Sequence, residues 1–131
     1  MMKHCIFEYL YRDAGNFKVS GKLLIHGELG DSDIALLQNK FDSGEYFIAE
    51  QIGVPTLYES LWRECECEPS DELDHVWHEF RAVRLATKED LLTLEPWGTA
   101  KDFVANVIKI NSWKPALSKN WELKWNGHLN R

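Results

Sequence analysis

Chemically versatile side chains are densest between Cys65 and Glu79. Cys65-Glu66-Cys67 is followed by Asp74-His75-Val76-Trp77-His78-Glu79, so thiols, imidazoles and carboxylates fall within fifteen positions. These are the ligand types that zinc and other transition metals prefer. A carboxylate beside an imidazole can also orient it for general acid–base work, which puts Asp74 or Glu79 in support of either histidine. The spacing argues against a metal centre. Structural zinc sites separate paired cysteines by two to four residues, so that the chain can wrap the ion, and here one residue intervenes. On a strand His75 and His78 point to opposite faces. On a helix they share a face, but His-x-x-His-Glu matches none of the metallohydrolase motifs. His75, His78, Cys65 and Cys67 are therefore the candidate metal ligands, with satisfied histidines and inert cysteines as the preferred reading. No cofactor is expected, with zinc as the alternative. Gly27-Glu28-Leu29-Gly30 has the glycines of a phosphate loop but not its lysine or spacing.

The same segment carries most of the charge. Of 131 residues with a formal net charge of −6, the stretch from Glu59 to Glu79 holds eight carboxylates against Arg63 alone, and the remainder is about neutral. A net negative chain repels phosphate backbones, which makes nucleic acid an unlikely partner. Local acid can instead solvate a loop or steer a basic protein partner. Glu64, Glu66, Glu68, Asp71 and Asp74 form that candidate surface, with Tyr58, Trp62 and Trp77 as apolar anchors. Arg12 and Asp13 at a turn are a second candidate, either a binding corner or an ion pair holding the turn, with the ion pair preferred.

Several elements must position these residues. His4 to Tyr11 is apolar apart from Glu8 and reads as a strand. Arg12-Asp13-Ala14-Gly15-Asn16 is turn chemistry. Phe17, Val19, Gly21, Leu23 and Ile25 then alternate with Lys18, Ser20, Lys22 and His26, which predicts a second strand of a hairpin. A helix is expected from a cap at Asp31 or Ser32, with Ile34, Leu37 and Phe41 on one stripe and Ser43-Gly44 at its end. Tyr46 to Ala49 reads as a short strand or connector, and Pro55 as the opening of a helix carrying Leu57, Tyr58, Leu61 and Trp62. The acidic loop spans 63–74. His75 to Ala86 is the third main strand, with an irregularity near Ala82. A helix start at 87–90 is stopped by a turn at Glu95-Pro96-Trp97-Gly98, and Thr99 caps a helix with Ala100, Phe103, Val104, Val107 and Ile108 on one face. Trp121 to Trp125 alternates like a strand.

These elements predict an α+β domain spanning 1–131, an antiparallel sheet of three to five strands with two or three helices mainly on one face, and 112–131 as a peripheral Trp-rich tail. Its 44% hydrophobic content suits a packed core. Three cysteines make no disulfide framework, and Cys65 and Cys67 are poorly placed to bridge one another. No apolar run reaches membrane-spanning length, so a cytoplasmic address without a membrane partner is the expectation; a homodimer is left open.

Three stretches, Tyr11-Arg12-Asp13-Ala14-Gly15-Asn16-Phe17-Lys18, Glu45-Tyr46-Phe47-Ile48-Ala49 and Asp74-His75-Val76-Trp77-His78-Glu79-Phe80, together resemble a family of small bacterial proteins to which no activity is attached. The likeness implies a shared site, if there is one, at the hairpin tip and along 74–80; Cys65, Cys67 and the Trp-rich tail fall outside the shared stretches. Small size, local acid and the lack of a catalytic motif give an expected role as a non-catalytic interaction protein of inhibitor, immunity or adaptor type. The alternative is a small metal-assisted hydrolase or acid–base enzyme centred on His75 and His78; a regulator binding a small ligand on the sheet face is a third.

Overall fold

A computed structural model describes residues 3–70 and 73–118. The fold is α+β, as the residue patterns predict. The strands are β1 (His4–Arg12), β2 (Lys18–His26), β3 (Tyr46–Ile48), β4 (Trp77–Leu85) and β5 (Pro96–Thr99), in the order β3-β4-β1-β2-β5. The helices are α1 (Asp31–Lys40), α2 (Ala49–Ile52), α3 (Tyr58–Cys65), α4 (Lys88–Thr93) and α5 (Ala100–Ile108), followed by a 3-10 turn at Pro115–Leu117.

The β1–β2 hairpin forms where the alternation places it. Asp13 Oδ1 accepts the N–H groups of Gly15 and Phe17, and Asn16 takes a positive φ of 68°, so one carboxylate organises the whole turn. Pairing then runs in register from Arg12↔Lys18 to His4↔His26. On β4 the pairing with β1 shifts between Glu8↔Ala82 and Tyr9↔Phe80, leaving Arg81 as an extra residue; this is the irregularity expected near Ala82.

One face of the sheet carries the core. Phe7, Tyr9, Tyr11, Leu23 and Ile25 bury against Leu37 and Phe41, Ile52, Tyr58 and Leu61, and Phe103 and Val107 from the α1, α2, α3 and α5 regions. The start of α3 sits so close to β2 that a Cβ on Gly21 would lie 2.8 Å from Leu57, which explains a glycine in mid-strand. The other face buries Ile6 and Leu24, and there α4 approaches through Asp90, which takes Arg84 Nη1 at 2.7 Å.

Several expectations need correction. The sheet is mixed, because β5 pairs parallel to β2. Its four residues include Pro96 and Gly98, which carry turn signals, and tertiary pairing overrides them. The cap of α1 is Gly30, whose N–H is taken by Asp33 at 3.0 Å, rather than Asp31 or Ser32. Helix α3 begins three residues beyond Pro55, whose carbonyl instead accepts from Tyr9 Oη at 2.7 Å. Phe17 precedes β2 and is 63% exposed rather than part of its buried face. Thr99 does cap α5, accepting the Asp102 N–H. The strand expected at Trp121 to Trp125 lies outside the described residues. No helix among the described residues is long and apolar enough to cross a membrane.

Candidate functional site

The segment singled out by its chemistry divides into a wired interior and an exposed rim. Asp74 lies in the interior, 5% exposed. Its Oδ1 accepts from Tyr11 Oη at 2.6 Å, and its Oδ2 accepts from Trp62 Nε1 at 3.1 Å and from the Ser70 N–H at 2.7 Å. One carboxylate thus ties the end of β1, the body of α3 and the loop before β4. Itself buried, it satisfies one buried and two part-buried donors and so leaves the candidate binding surface.

His75 is a backbone clip. Its Nε2–H donates to the Arg12 carbonyl at 2.6 Å, and its Nδ1 accepts the Trp77 N–H at 3.0 Å, which fixes the tautomer and engages both ring nitrogens. His78 is wholly buried, ringed by Tyr9, Tyr11, Phe47 and Tyr58 with centroids 5.4–6.1 Å away. Its Nε2 accepts the Leu57 N–H at 3.0 Å, so in the neutral ring the proton sits on Nδ1, which has no hydrogen-bond partner among the described residues. Burial dominates and lowers the His78 pKa to about 4. The ring is therefore neutral at pH 7, and its one accepting nitrogen is already taken.

The other predicted residues sort by exposure. Tyr58 is fully buried, donates from Oη to Glu50 Oε2 at 2.7 Å, and leaves the set of apolar anchors. Burial raises its pKa, helped by Glu50. Trp62 and Trp77 are half-buried, with Trp62 packed on Tyr58 and Trp77 edge-on to Trp113. Arg12 pairs not with Asp13 but with Glu79, Nε to Oε2 at 3.0 Å, and its Nη1 donates to Asn16; Asp13 is occupied by the turn. Glu64, Glu66 and Glu68 are exposed at the end of α3, and none has a salt-bridge partner among the described residues. Asp71 lies outside the described residues.

Cys65 and Cys67 are joined as a disulfide, with Cα atoms 5.2 Å apart. The expectation that Cys65 and Cys67 are poorly placed to bridge one another is corrected by the backbone. Glu66 adopts the left-handed conformation at φ 55°, ψ 40°, which turns the chain back on itself and brings the two Cα atoms into disulfide range. Joined in this way, the two sulfurs present no thiolate to a metal. No group of three or more potential ligands converges among the described residues.

The sequence reading missed an apolar pair at the hairpin tip. Phe17 and Leu73 are 63% and 40% exposed, and both side chains come within 3.5 Å of the Cβ position of Gly15. The Ala14 N–H donates to the Leu73 carbonyl at 2.8 Å, holding the acidic loop to the tip. The available signal was Phe17 itself, next to a turn, where a strand's buried alternation has yet to begin. Compared with known families, curated proteins and solved structures, the chain matches no family model, no curated protein and no solved structure.

Proposed function

We propose that this protein is a non-catalytic interaction module whose acidic rim engages a basic protein partner. The observation that carries the reading is the placement of Glu64, Glu66 and Glu68 around the C-terminal end of α3. A helix C-terminus bears partial negative charge, so carboxylates there are locally unfavourable, by about 0.3–1 kcal/mol each near the last turn. Glu66 adds the strain of a non-glycine residue in the left-handed region. Local choices that work against the fold, with no salt bridge to these carboxylates among the described residues although Arg63 shares the turn, are where function is to be sought. The rim stands on a stiff base, since Asp74, Trp62 and the Cys65–Cys67 bridge fix the same helix end.

Recognition combines two parts. The carboxylates steer a basic surface onto the rim, which raises the association rate more than the final affinity. Phe17, Leu73 and the exposed parts of Trp62 and Trp77 supply apolar contact. The geometry supports this reading over a metal-assisted or acid–base enzyme at His75 and His78, because backbone groups hold both nitrogens of His75 and the accepting nitrogen of His78.

Partner capture from a bacterial lysate tests the proposal. Wild-type protein should retain basic proteins in a salt-sensitive manner, and a variant carrying Glu64→Lys, Glu66→Lys, Glu68→Lys and Asp71→Lys should lose them. Equal capture by the two proteins would show the reading to be wrong.

A further inference from the structure

Two histidines that the sequence separates by 22 positions meet at the far end of the β1–β2 hairpin from the acidic rim. His4 and His26 are directly opposite in the register. The neighbouring pair carries a ladder hydrogen bond, Gly27 N–H to the Lys3 carbonyl at 2.7 Å, so His4 and His26 occupy a non-hydrogen-bonded position, where side chains come closest. Their rings stand edge to face with centroids 4.8 Å apart, and His26 Nδ1 lies 3.2 Å from His4 Nε2. Both are half-buried, and a cavity of about 240 Å³ lined by Lys3, His4, Leu85, Ala86 and Leu91 opens on the His4 side of the pair.

We infer that His4 and His26 form a two-histidine chelate for a divalent transition-metal ion of the class that imidazole prefers: nickel, copper(II) or zinc. Two nitrogens bound at about 2.0–2.1 Å to one ion, at square to tetrahedral angles, stand roughly 2.9–3.4 Å apart, and the observed separation falls in that interval. In the metal-free pair one ring donates its N–H to the other. On binding, that proton moves to the distal nitrogen of the same ring, Nδ1 of His4 or Nε2 of His26, and both facing lone pairs turn to the ion. No third protein ligand converges there among the described residues, so water or a donor from another molecule completes the shell on the cavity side. Clasping two adjacent strands, the ion stabilises the folded chain by mass action.

Calorimetric titration of tag-free, full-length protein with nickel chloride tests this, on a Cys65→Ser/Cys67→Ser background that removes the two exposed sulfurs as rival ligands should the bridge be reduced. One saturable site is expected. Its affinity should fall at least about tenfold in His4→Gln and in His26→Gln, both checked for folding by circular dichroism, and should be unchanged in His128→Gln. Affinity in the His4→Gln or His26→Gln variant equal to that of the parent protein, or no saturable binding up to ~1 mM metal, would overturn the inference.

Discussion

The two histidine pairs of this protein show how differently the same side chain can be used. His75 and His78 sit close in sequence among carboxylates and cysteines, yet the fold engages them from within: backbone groups take both nitrogens of one and the accepting nitrogen of the other. His4 and His26 are far apart in sequence, and neither has a carboxylate as its immediate chain neighbour. Strand register sets them directly opposite one another at an open end of the sheet. Nearness along the chain thus identified an internal clamp, whereas nearness across the ladder made the pair with nitrogen lone pairs to offer.

The largest effect should come from the hub of the closed end. Asp74→Ala leaves Tyr11 Oη, Trp62 Nε1 and the Ser70 N–H without their acceptor, and should lower stability by about 3 kcal/mol or more, read as a shift in the urea midpoint. A variant as stable as wild type would break the distinction between a clamped and an open end.

His78 should set a pH dependence. Its folded pKa, about 4, lies below the ordinary value of 6.5, so the unfolded chain binds the proton more readily. The stability this contributes is full above roughly pH 6.5 and is lost as the pH falls towards 4, amounting to roughly 3 kcal/mol across that window. His78→Leu should flatten the dependence, while costing about 1–3 kcal/mol at pH 7 through the unpaired Leu57 N–H. Urea unfolding at pH 7, 5.5 and 4.5 would check both.

Smaller effects are expected at the exposed sites. His4→Gln and His26→Gln should change metal-free stability by less than about 1 kcal/mol, sharpening the contrast with Asp74 and His78. At the acidic rim, Glu66→Gly should stabilise by about 0.5–1 kcal/mol, because glycine adopts the left-handed conformation without strain. Thermal denaturation reads both.

How much of this was legible in the residues depends on range. The hairpin, its turn, the α1 and α5 stripes, the Thr99 cap and the irregularity on β4 follow from alternation and capping, which are local. Strand β5 was not legible, since Pro96 and Gly98 signal a turn and only pairing with β2 makes that segment a strand. The acidic residues were visible as composition. Their division into a buried hub at Asp74 and an exposed rim at Glu64, Glu66 and Glu68 needed the tertiary contact with Tyr11 and Trp62. The His4–His26 pair was within reach: a turn centred on residues 12–18 fixes the register, and the register places one opposite the other.

Ring-nitrogen NMR of the histidines during zinc addition tests the contrast most directly. At pH 7, His75 should appear as the Nε2–H tautomer and His78 as the Nδ1–H tautomer, both unmoved by the metal, while the ring nitrogens of His4 and His26 shift together to saturation. Zinc-dependent shifts at His75 or His78, with His4 and His26 unaffected, would contradict the division and return the candidate metal site to the segment between Cys65 and Glu79.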